Sequence, residues 1–128
     1  MDIYTENILD HYQHPHHNGR LAKPAATISV YNPLCGDTLT LDIQIEKNKI
    51  TDIAFIGTGC AISQAAMSLL TDYSLGKTTG VLKKIKPKII YDLLGTTVSP
   101  ARTKCALLGW DGLQKMITSP TVVRHAKK

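Results

Sequence analysis

The chain has 128 residues, 43% of them hydrophobic and 20% charged, with a formal net charge of +5. That size and balance suit one globular domain with its own core, so 1–128 is expected to be a single domain with a flexible basic tail from about residue 120. The polar opening Met1-Asp2-Ile3-Tyr4-Thr5-Glu6 is unlike a secretory signal, and no apolar run reaches the roughly 18 residues of a membrane span. The expectation is a soluble, cytoplasmic protein with no membrane partner.

The basic residues gather at Lys77, Lys83, Lys84, Lys86 and Lys88 and in the tail at Arg124, Lys127 and Lys128. They make either a solvated face or a surface for an acidic protein partner. With seven aromatic residues and no helix-turn-helix, RNA-recognition or zinc-finger pattern, nucleic acid is not expected as a partner.

In chain order, residues 3–13 read as an amphipathic helix on Tyr4, Ile8 and Tyr12, with Leu9 beside them, ending at His14-Pro15. The histidines at 11, 14, 16 and 17 invite a metal reading, but Pro15 and the Asn18-Gly19 turn leave no regular ligand spacing, so a solvated loop is expected there. Residues 20–26 read as a linker and Thr27–Tyr31 as a first strand. Asn32-Pro33-Leu34-Cys35-Gly36-Asp37 is a tight loop. Leu39, Leu41, Ile43 and Ile45 then alternate with Thr38, Thr40, Asp42 and Gln44, a strand with one buried face. Lys47-Asn48-Lys49 turns the chain into a return strand over 50–56.

Gly57-Thr58-Gly59 lets the backbone turn from that strand into a helix that starts at Cys60 and carries Ile62, Ala65, Ala66, Leu69, Leu70 and Tyr73. A weak short helix follows around 81–85. Another begins at Pro87 and stops at Gly95. The last helix is expected from Ser99-Pro100, with Ala106, Trp110, Leu113 and Ile117 as its apolar stripe. One helix, three strands and further helices imply an α+β fold, with helices packed on a three-stranded antiparallel sheet.

Three cysteines cannot all pair, and none belongs to a C-x-x-C motif. Cys35 precedes a strand, Cys60 follows one at a helix start, and Cys105 lies in the first turns of the last helix. All three are at element ends, where a sheet-plus-helix fold can gather them at one edge. A thiol at a helix N-terminus is favoured as thiolate by the dipole. Asp37, two positions after Cys35, either adds a carboxylate to the set or is a turn residue bonding its own backbone. Three thiolates and one carboxylate supply four ligands, which suits tetrahedral zinc or an iron–sulfur centre. The carboxylate is the harder, weaker member of that set, as a site that releases its cargo requires. Lys104 and Arg102 set positive charge beside Cys105, or face solvent.

The stretches Asn32–Asp37, Gly57–Ser63 and Ala101–Leu107 resemble the corresponding motifs of the U-type iron–sulfur cluster assembly scaffolds, the family of IscU, SufU and the N-terminal domain of NifU. Tyr4, Ile8-Leu9-Asp10-His11-Tyr12, Pro15 and Asn18-x-Arg20-Leu21 are similar to the family's opening segment. The resemblance runs over about residues 3 to 118. It implies a SufE/NifU-like fold and a ligand set of Cys35, Asp37, Cys60 and Cys105 for a transient [2Fe-2S] cluster or zinc. It also implies Cys105 as persulfide acceptor with Lys104 beside it. The implied partners are a cysteine desulfurase and iron–sulfur acceptor proteins, with the chain a monomer or weak homo-oligomer. Lys104, where IscU-like members carry histidine, is similar to SufU. The 45-position interval from Cys60 to Cys105 is similar to the shorter IscU and NifU layout. The segment Val98–Arg102 stands where IscU carries a chaperone-recognition motif and departs from it. Three readings stay open: an assembly scaffold, more a sulfur carrier than a stand-alone enzyme; a zinc-dependent sulfurtransferase; and a structural-zinc binding module.

Overall fold

The computed structural model describes residues 3–33, 36–96 and 98–118. Helix α1 (Ile3–Gln13) leads to strands β1 (Ala26–Asn32), β2 (Asp37–Glu46) and β3 (Lys49–Thr58), then helices α2 (Ala61–Ser74), α3 (Thr79–Lys83), α4 (Lys88–Leu94) and α5 (Thr103–Ile117). The strands form one antiparallel sheet in the order β1-β2-β3. Lys47 and Asn48 both take positive φ at the β2–β3 turn, the backbone that matches the twist of two paired strands.

The alternating residues of β2 put Leu39, Leu41, Ile43 and Ile45 on the inner face, where Ile53 and Phe55 of β3 join them. Helices α2 and α5 lie on that face. Helix α2 is the central element: Ala65, Ala66, Met67 and Leu70 are buried in the core, and α1, α4 and α5 pack around it. Helix α5 approaches closely through two glycines. A Cβ on Gly109 would stand 2.5 Å from Met67 Sδ, and one on Gly112 would stand 3.2 Å from Val30 Cγ1.

The stretch expected as a linker is a strap. The His17 carbonyl accepts from Phe55 N–H and Gly19 N–H donates to the Phe55 carbonyl, so the strap begins on the free edge of β3. It then crosses the outer face. Arg20 Nε, the Leu21 N–H and the Thr27 hydroxyl all donate to the Asp42 carboxylate, at 2.6, 3.0 and 2.6 Å. It ends where Ala25 N–H donates to the Ile43 carbonyl, beside the start of β1. Asp42, expected on the solvent face with Thr40 and Gln44, is therefore fully buried. Burial pushes its carboxyl pKa up; the hydrogen bonds from Arg20, Thr27 and Leu21, with the Arg20 charge, outweigh that and hold it below the usual range.

Further expectations are corrected. Tyr12 is 43% exposed, and among the residues of α1 whose burial is described the buried ones are Ile8 and His11, because α2 meets α1 along that line. Gly57 is a strand residue paired with Leu39, and the turn falls on Gly59. The short helix starts at Thr79, with the Thr78 hydroxyl accepting from Val81 N–H. Ser99 makes no capping bond; a 3-10 turn over Pro100–Arg102 precedes α5.

Candidate metal centre

Two thiols and a carboxylate meet where β2, the end of β3 and the start of α5 converge. The ligand atoms of Asp37, Cys60 and Cys105 all lie within 4.8 Å of one another. Asp37 opens β2 and is register partner to Asn32 at the end of β1. Its Oδ1 accepts from Cys60 N–H at 2.8 Å, and its Oδ2 lies 3.9 Å from Cys60 Sγ. Cys60 is the N-cap of α2 with extended backbone, φ −75° and ψ 163°. The carboxylate thus takes up the N–H of the N-cap residue itself and holds Cys60 beside it.

Gly59 makes that approach possible. Its φ of +143° disfavours other residues, and a Cβ there would stand 2.0 Å from Asp37 Oδ1. Gly57 acts differently: a Cβ would meet the Thr38 carbonyl at 2.5 Å and Leu39 Cδ2 at 2.6 Å, so it is selected by close packing within the strand.

Cys105 is the third residue of α5 and fully buried; Cys60 is partly exposed. The side-chain amide of Asn32 donates to Cys105 Sγ at 3.5 Å. Asn32 was not among the expected site residues. Its signal is parity: Ile28, Val30 and Asn32 alternate on one face of β1, and a polar side chain at the end of an inward row needs a polar partner. Lys104 is exposed and lines a groove of about 350 Å³ with Tyr31, Asn32, Pro33, Leu107 and Trp110. Cys35 lies outside the described residues, as does the basic tail. Arg102 is exposed in the 3-10 turn.

Two sulfurs and a carboxylate oxygen at this spacing fit a thiolate-preferring ion. Tetrahedral zinc sets such atoms about 3.3–3.8 Å apart, and a polar donor at Cys105 Sγ is the kind of neighbour that tunes a thiolate ligand.

The sequence model of the NifU-like N-terminal domain matches residues 3–122. The chain belongs to that family. Among NifU-like relatives, it is 32% identical to the iron–sulfur cluster assembly scaffold protein IscU of Streptococcus pyogenes, over 96% of this chain and 87% of that one. It is 33% identical to the zinc-dependent sulfurtransferase SufU of Bacillus subtilis, over 88% of each. The N-terminal NifU-like protein of Brucella abortus has the same fold, with a TM-score of 0.76, 24% identity and 95% of each chain covered. The NifU-like fold is thus the expected α+β arrangement, three antiparallel strands with helices packed on them.

Proposed function

We propose that this protein is an iron–sulfur cluster assembly scaffold. The observation that carries the reading is the convergence of Asp37, Cys60 and Cys105 at one edge of a NifU-like fold, together with its likeness to IscU relatives. The ligand set is Cys35, Asp37, Cys60 and Cys105, and the cargo is a [2Fe-2S] cluster held transiently. Asp37 is the member that favours release, since a carboxylate binds iron or zinc in thiolate company more weakly than a fourth cysteine.

Sulfur comes from a cysteine desulfurase, and Cys105 is the acceptor. Its thiolate attacks the outer sulfur of the donor's persulfide; a new S–S bond forms at Cys105, the donor's S–S bond breaks, and the donor cysteine leaves as thiolate. Cys105 is buried, so the Asn32–Pro33 side of the groove must yield first. That groove, with Lys104 at its edge, offers the approach for the donor. Finished clusters pass to iron–sulfur acceptor proteins.

The second reading is a zinc-dependent sulfurtransferase, favoured by Lys104 before Cys105 and by the likeness to the Bacillus subtilis relative. Zinc would hold the same ligands and keep the thiols as thiolates. Metal and acid-labile sulfide in protein purified without oxygen decide between the two. Iron with sulfide supports the scaffold; stoichiometric zinc without sulfide, with desulfurase stimulation lost in Cys105→Ala, supports the sulfurtransferase.

A further inference from the structure

A second group of ligand-type side chains lies on the other end of α2. Asp72 is 12 residues beyond Cys60 along that helix, about 18 Å at 1.5 Å per residue. The ligand atoms of His11, His16 and Asp72 fall within 4.8 Å of one another. His16 Nδ1 is 2.5 Å from Asp72 Oδ2, and His17 Nε2 is 2.9 Å from Asp72 Oδ1. The rings of His11 and His16 sit 4.4 Å apart, tilted by 48°.

The surroundings hold these groups in place. His11 is buried on α1, with its Nδ1 2.7 Å from the fully buried Ser68 hydroxyl. The same hydroxyl accepts from His16 N–H at 2.8 Å. A histidine with one ring nitrogen bonded to a fixed neighbour and the other available is the usual arrangement of a metal ligand. His17 takes a left-handed backbone, φ 57°, which a non-glycine residue adopts at a cost of about 1–2 kcal/mol. It stands where two consecutive side chains converge on one carboxylate. His16 and Asp72 are partly exposed, so an ion can reach them from solvent.

We propose that His11, His16 and Asp72 form a binding site for a divalent transition ion such as zinc, separate from the thiolate centre, which clips α1 and the following strap to α2. Two imidazoles and a carboxylate select zinc, nickel or copper over magnesium or calcium, which want oxygen ligands. A zinc ion would widen the His16–Asp72 pair to about 3.3 Å, a movement of under about 1 Å by two exposed side chains. His17 orients the carboxylate through its other oxygen.

The test is an anaerobic zinc titration of the full chain, with reductant, at pH 7.5. Wild type binds one equivalent more than His16→Gln or Asp72→Asn, whose loss of a ligand weakens the second site at least about tenfold. Cobalt(II) separates the centres: both variants keep the thiolate-to-cobalt absorption bands. Both substitutions fall on exposed side chains, so folding is retained. The proposal is overturned if His16→Gln and Asp72→Asn bind as much zinc as wild type, or if they lose the thiolate bands rather than the extra equivalent.

Discussion

At the scale of single residues, Gly59 is the position on which the centre depends most directly. Gly59→Ala places a methyl group 2.0 Å from Asp37 Oδ1, far inside van der Waals contact, and forces an alanine into φ +143°. The carboxylate must leave Cys60 N–H, so the variant is expected to lose about 1–3 kcal/mol in urea denaturation and to retain less zinc after dialysis. Retained zinc at the wild-type level would show that Asp37 is dispensable. Burial ranks the two described thiols. Cys60 is partly exposed and Cys105 is fully covered, so in metal-free protein iodoacetamide should label Cys60 well before Cys105. Peptide mass spectrometry over a time course reads the order, and equal rates would mean that the Asn32 side of the groove opens readily. Cys60, Cys105 and Asp37 were legible as residue types at element ends. Asn32 was legible only as a parity position. The role of Gly57 was not, because its neighbours Thr38, Leu39 and Gln64 come from elsewhere in the chain.

At the scale of elements, the strap from residue 17 to residue 25 depends on Asp42. A folded carboxyl pKa held below the unfolded value of about 3.9 contributes stability that is complete above that value. It is lost as pH falls through the folded value. Wild type is therefore expected to lose stability below about pH 4 in part through this group, and Asp42→Asn should flatten that part of the profile. Asp42→Ala leaves the Leu21 N–H, the Thr27 hydroxyl and Arg20 without their acceptor, and should cost roughly 2–4 kcal/mol at pH 7. Urea midpoints between pH 3 and 7 check both, and an unchanged acid limb in Asp42→Asn would place the lost stability in other carboxylates. The strands themselves were readable, since alternation along β2 is strict. The strap was not. Residues 20–26 carry no periodicity, and their place is set by bonds to Asp42, Ile43 and Phe55.

For the whole molecule, the thiolate centre joins β2, the β3–α2 junction and α5, which are far apart in the unfolded chain. An ion bound there stabilises the folded state alone. In Asp72→Asn protein, which isolates this centre, free zinc at about 100 times its dissociation constant should add about 2.7 kcal/mol. That corresponds to roughly 10 °C in Tm. Excess chelator should remove the gain, and Asp37→Asn should shrink it. A Tm indifferent to zinc would mean that the three elements do not share an ion.

The sequence alone determined the elements and their type, because hydrophobic period and turn chemistry are local properties. It also singled out Asp37, Cys60 and Cys105, which the fold brings together, because they stand at element ends in motifs similar to a known family; Cys35, read in the same way, lies outside the described residues. Tertiary structure alone decided what those elements bring together. Asp42 reads as a surface residue until the strap covers it. Four histidines read as a loop until α1 and α2 pack, placing His11 on Ser68 and His16 and His17 on Asp72. In each case the partner lies more than 10 residues away in sequence. No local pattern encodes such a partner; only the packing of helix on helix and strap on sheet supplies it.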